Sequence, residues 1–128
     1  IDASVLANVV GDDGQAGRAA RTRIAAASQW SAPDLVDVET VSVLRGAGAL
    51  ETSQRDDSDQ QSVTAFTPIA RFPTGPLMIR AYELRSNVTP YDATYVALAE
   101  GLSCPLVTAD ARLARAPGIH CAVDVLVF

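Results

Sequence analysis

Lysine is missing from this chain altogether, and all ten of its permanently basic side chains are arginine. Chemistry that leans on a lysine amine has no candidate here, which weighs against aspartyl-phosphate phosphatases and phospho-receiver domains. Histidine occurs once, as His120 at the entry to the last apolar segment, so a Ser/His/Asp or Cys/His mechanism would have to use it. Cysteine occurs twice, at Cys104 and Cys121, which fits neither a disulfide-rich scaffold nor a zinc site. Both are read as buried free thiols in a reducing cytoplasm. No run of about 18 apolar residues is present, so no membrane-spanning helix is expected. The N-terminus has no basic stretch of the kind that opens a signal peptide. An opening Ile in place of Met predicts that at least one residue precedes it.

What is present suits one domain over residues 1–128, long enough for a single core. The net charge of −5 argues against a simple nucleic-acid binder, but distribution matters more than the sum. Asp12-Asp13 and Asp56-Asp57-Ser58-Asp59 read as solvated caps and loops. The arginines cluster as Arg18/Arg21/Arg23, Arg71/Arg80/Arg85 and Arg112/Arg115, so a basic rim can border an acidic centre.

Helix and strand signals alternate. Residues 1–3 read as the end of a strand, and Ser4 to Val10 as a helix broken by Gly11-Asp12-Asp13-Gly14. A helix is expected over 15–27, a short strand at Gln29-Trp30-Ser31, and a helix with Pro33 in its first turn that runs to about Leu44. Further helices are expected near 56–66, over 75–86, and from Thr89 or Pro90 to Glu100. Ile69–Phe72 is either strand or linker. Leu106-Val107-Thr108 reads as a strand, Arg112–Arg115 as a turn, and Ile119–Val127 as the last strand or strands. Strands separated by helices predict an α/β sandwich with a mainly parallel central sheet of four to five strands. Ligands in such sheets gather at the carboxyl ends of strands.

Four acids abut core-forming segments: Asp2, Glu39, Asp92 and Asp110. Singly, three of them have plain structural explanations. Asp2 can cap the helix that follows it, Asp92 suits a helix N-terminus, and Asp110 suits a turn. Glu39 is harder to explain that way. At about 100° per residue, Leu35 and Val43 lie about 40° either side of it, so it points from an apolar face. Four carboxylates together repel, and a divalent cation relieves the repulsion. Mg²⁺ or Mn²⁺ fits, because hard cations prefer oxygen ligands. Trp30 is expected in the core rather than stacked on a base, and Tyr91 and Tyr95 either pack or line a groove. Arg80, Arg85, Arg112 and Arg115 are candidates for phosphate contacts, with plain exposed arginines as the alternative.

These pieces resemble the PIN-domain ribonucleases, most closely the VapC toxins of bacterial toxin–antitoxin pairs. The resemblance lies in Ile1–Leu6, in Pro33–Val36 through Glu39 to Arg45, in Tyr91-Asp92-Ala93 with Tyr95–Ala99, and in Leu106–Asp110 with Arg112-Leu113. It implies a PIN-like α/β/α sandwich and a metal-dependent endoribonuclease. Asp2, Asp92 and Asp110 would hold the metal, and Glu39 would position or deprotonate water. Ser4 and Thr108 would orient carboxylates or water. It also implies an RNA substrate, a cognate VapB-like antitoxin and a homodimer. Two departures stand out. Arg45–Leu50 looks short against the family, and Arg112 stands where some relatives carry another acid. The alternative is a non-catalytic PIN module that binds RNA or a protein partner.

Overall fold

The computed structural model describes residues 1–46 and 69–127. Helix α1 (Ala3–Gly11) begins at an N-cap, Asp2, whose carboxylate accepts the amides of Ser4 and Val5. That satisfies amide donors a helix start otherwise leaves open. Past Gly11, Asp12 turns its carboxylate to the amides of Gly14 (2.7 Å) and Gly17 (2.8 Å) and so launches helix α2 (Gln15–Ala25). Gly17 must be glycine, because a Cβ there would stand 1.7 Å from the Asp12 carbonyl oxygen.

The chain continues through β1 (Trp30–Pro33), α3 (Val36–Gly46) and β2 (Ile69–Phe72). A 3-10 turn (Gly75–Leu77) leads into α4 (Met78–Glu83), followed by α5 (Pro90–Gly101) and β3 (Leu106–Thr108). A second 3-10 turn (Leu113–Arg115) precedes β4 (Val123–Val125). The helix expected near 56–66 and most of the short segment after Arg45 lie outside the described residues.

The strands are parallel, as expected, and among the described residues they pair two by two. β1 pairs with β2 from Trp30↔Ile69 to Pro33↔Phe72. β3 pairs with β4 from Leu106↔Val123 to Thr108↔Val125. Residues 1 and 2 join the pairs. The Ile1 backbone nitrogen donates to the Ser31 carbonyl and the Asp2 amide to the Val107 carbonyl, each at 3.1 Å. Helix α1 starts at Ala3, so this central segment is too short to build a ladder of its own.

Two helix boundaries differ from expectation. Pro33 ends β1 instead of opening α3. It has no N–H to give, and the ladder resumes at Asp34, whose amide donates to the Phe72 carbonyl at 2.8 Å. α4 stops at Glu83. Beyond it the chain turns so that Leu84 is buried and the Asn87 side chain reaches the Pro117 carbonyl.

The core runs through Val5, Leu6, Val36, Leu84, Val96 and Leu106. α5 is its centre, with every residue from Ala93 to Ala99 buried. Thr89 caps it by accepting the Asp92 amide, and Pro90 occupies its first turn. Trp30 packs as expected, its Nε1–H donating to the Ile24 carbonyl and the Arg23 guanidinium lying over its ring. Cys104 and Cys121 are free but only half-buried, a correction to the expected buried thiols. Among the described residues no helix is long and apolar enough to cross a membrane.

Candidate metal centre and nucleic-acid cleft

Asp2 is the best-anchored of the four acids. It is buried, and both carboxylate oxygens are hydrogen-bonded. Oδ1 accepts from the Ser4 hydroxyl and the Ser4 and Val5 amides, and Oδ2 accepts from the Thr108 hydroxyl. Each hydroxyl also accepts an amide from the turn after β3. Ala109 donates to Ser4 Oγ and Asp110 to Thr108 Oγ1, each at 3.0 Å. A hydroxyl has one donor and two acceptor sites. Ser4 and Thr108 therefore clamp the start of α1 to the end of β3, and bring Asp2 and Asp110 into one neighbourhood.

Glu39 comes from α3 and Asp92 from the first turn of α5. Burial pushes the Glu39 carboxyl above its usual range. The Tyr95 hydroxyl pulls the other way, and Asp92 and Asp2 add to the push. Burial likewise raises Asp92. A hydrogen bond with Thr89 opposes this, Asp2 and Asp110 reinforce it, and Arg112 partly offsets it. Asp92 thus feels the charge of Asp2 and Asp110, and Glu39 that of Asp92 and Asp2. Tyr95 is buried, and its hydroxyl donates to Glu39 Oε2 at 3.3 Å. Sequence reading left its role open. Its place one helical turn after Asp92 was the available signal.

Asp110 differs. Arg112 holds both its oxygens, with Nε 3.0 Å from Oδ1 and Nη2 2.9 Å from Oδ2, and the Arg112 amide 2.9 Å from Oδ1. The guanidinium keeps the Asp110 carboxyl below its usual range. Asp92, Asp110, Arg112 and Arg85 line a cleft of about 500 Å³. Arg115 is exposed and is not among the residues lining that cleft. Arg80 does not line it either. Its guanidinium is bidentate to Glu100, at 2.7 and 3.1 Å, and also meets Glu83 and the Gly118 carbonyl. His120 is exposed and lines a separate cleft with both cysteines.

The donor set suits a divalent metal in its chemistry: oxygen ligands only, supplied from strand and helix ends. It is not a preformed cage. As the side chains stand, among the described residues no group of three or more His, Cys, Asp or Glu is arranged to hold a metal ion. Asp2 and Asp110 instead give their oxygens to hydroxyls, amides and Arg112.

Comparison with known proteins gives this α/β domain, with carboxylates at its strand and helix ends, a specific class. The PIN domain family model matches residues 1–119, and the chain belongs to that family. Ribonuclease VapC9 of Mycobacterium tuberculosis is 36% identical over 127 residues, covering 98% of this chain and 96% of that protein. Ribonuclease VapC1 of the same organism is 39% identical over 99 residues, covering 75% of this chain and 74% of its own length.

Proposed function

We infer that this chain is a metal-dependent endoribonuclease of the toxin–antitoxin type, acting as one domain on RNA in the cytoplasm. The observation that carries the reading is the match to ribonuclease VapC9 over 98% of this chain, supported by Ser4 and Thr108 tying Asp2 to the Asp110 turn and by Asp92 and Asp110 lining one cleft. Asp2, Asp92 and Asp110 would hold Mg²⁺ or Mn²⁺. When bound, that ion supplies Lewis-acid stabilisation of a phosphoryl oxygen and makes water a better nucleophile.

The chain's own groups do the rest. Glu39, its proton affinity raised by burial, takes the proton from the attacking water. The Tyr95 hydroxyl fixes the direction of that carboxylate. Ser4 and Thr108 keep Asp2 from turning. Arg85 lies in the cleft wall, placed for a phosphate. In-line attack leaves a 5′-phosphate and a 3′-hydroxyl. Single-stranded or loop RNA suits an open cleft, because its bases are already splayed.

A VapB-like antitoxin would cover the cleft, with a basic side chain among the acids. α3 leaves Val38, Val41 and Val43 exposed, which supports a homodimer through that early helix. A non-catalytic PIN module is the second reading. One observation favours it: Asp110 is already satisfied by Arg112.

Cleavage of total RNA by the purified, partner-free chain separates the two readings. With Mg²⁺ or Mn²⁺ it should cut, and with EDTA it should not. Asp2→Asn and Asp92→Asn should each reduce cutting by about 100-fold or more. Cutting that persists in EDTA or in both variants would refute the metal-centre reading. RNA binding that is indifferent to metal, without cutting, would support the module.

A further inference from the structure

Arg112 is 90% exposed, yet its guanidinium is not free. Its fork and its own amide occupy both oxygens of Asp110, through three hydrogen bonds of 2.9 to 3.0 Å. It is also close enough to act on the charge of Asp92. A divalent ion that takes Asp110 as a ligand needs those same oxygens, so ion and guanidinium compete for one carboxylate. Nothing else restrains the Arg112 side chain among the contacts of the described residues. A long exposed side chain moves away at little cost in packing. Arg80 has no such freedom, since it is anchored by Glu100, Glu83 and Gly118 together.

We propose that Arg112 is an internal counter-ion of the acidic centre: it occupies Asp110 until a divalent ion displaces it, and metal loading thereby frees a guanidinium at the mouth of the cleft. This rests on the metal-centre reading above. Arg112 is a positioning residue in this scheme. It holds Asp110, and once released it stands beside the cleft with its phosphate-binding fork open. Loading and RNA capture are coupled in consequence. When it holds the ion, the cleft gains a further open guanidinium beside that of Arg85.

Titration calorimetry of Mn²⁺ into the wild-type chain, Arg112→Ala, Arg112→Lys and Arg115→Ala tests this without reference to cleavage. Arg112→Ala should tighten Mn²⁺ binding by about 3- to 10-fold, as expected for removing an exposed bidentate competitor. Arg112→Lys keeps the charge but loses the fork, and should also tighten it, by less. Arg115→Ala removes an equal charge outside the cleft lining and should change nothing. Independently, the Arg112 Nε–H proton should exchange slowly with water before Mg²⁺ is added and quickly after.

Unchanged or weaker binding in Arg112→Ala would overturn the proposal. So would equal tightening in Arg115→Ala, or wild-type affinity in Arg112→Lys, since either would show that only the general field matters. If no chain binds Mn²⁺ at millimolar concentrations, the metal-centre reading itself fails and the proposal with it. If wild type binds and Arg112→Ala matches it, the centre stands and only the counter-ion role is lost.

Discussion

Arg80 and Arg112 make the same chemical contact, a guanidinium fork on a carboxylate, in opposite surroundings. Arg80 is 27% exposed and its partner Glu100 only 14%, and Glu83 and the Gly118 carbonyl complete its shell. Arg112 is 90% exposed and has Asp110 alone. At Arg80, two carboxylates and a carbonyl converge on one cation. At the acidic site, Arg112 contacts Asp110 and lies near Asp92, and no other group holds it among the described residues. The first arrangement is closed and serves the fold. The second is short of positive charge, as the proposed metal centre requires. The fork itself does not distinguish them. What differs is how many other groups hold the arginine, and how much positive charge the surrounding acids still lack.

Cutting the closed network gives the largest expected effect on stability. Arg80→Ala should lower the urea unfolding free energy by about 1–3 kcal/mol, because Glu100 loses its charged hydrogen bonds while still largely shielded from water. RNA cleavage per folded molecule should hold. Lost cleavage with unchanged stability would return Arg80 to the RNA-contacting set.

Thr108→Val sharpens the comparison from the other side. The hydroxyl is fully buried between Asp2 and the Asp110 amide, and valine keeps its shape while leaving both short of a partner. A loss of about 1–2 kcal/mol is expected in the same urea assay, together with slower cleavage. Stability lost with cleavage intact would make this bond structural only.

Arg85→Ala should act on RNA alone. Arg85 lines the cleft, and its guanidinium lies over the exposed Tyr82 ring. RNA affinity should fall several-fold, and the slope of log affinity against log salt should shrink by about one. Filter binding with Asp92→Asn as the background would measure both without turnover.

The smallest effect concerns acid. Arg80 holds the Glu100 carboxyl below its usual range. A depressed acid contributes stability that is whole above its unfolded value, about 4.3, and lost as pH falls through the lower folded value. The Tm gap between wild type and Glu100→Gln should therefore be full at neutral pH and close below about pH 4. A gap that widened in acid would mean that Glu100 is not held ionised by Arg80.

The centre was easier to read in the sequence than the stabilising network. Asp2 capping Ser4 and Val5, and Thr89 capping Asp92, are contacts within three residues, and such contacts leave local marks. Glu39 stood out by its apolar neighbours along α3, although the face the helix buries is that of Val36, Thr40 and Leu44, with Val43 exposed. Arg80 meeting Glu100 across 20 residues, and Thr108 meeting Asp2 across 106, left no comparable mark. Arg80 therefore looked like any other arginine available to RNA. Tyr95 looked like packing or groove lining until its hydroxyl met Glu39.

By itself the sequence determined the alternation of helices and parallel strands, the helix starts, and four acids placed where strands end or helices begin. Those follow from periodicity and capping, which act over a few residues. Only the tertiary structure decided that the strands form two pairs bridged by Ile1 and Asp2, and that Ser4 and Thr108 clamp one acid while Arg112 occupies another. Those depend on which distant segments pack together. Packing is set by the whole core at once, and no short stretch of chain records it.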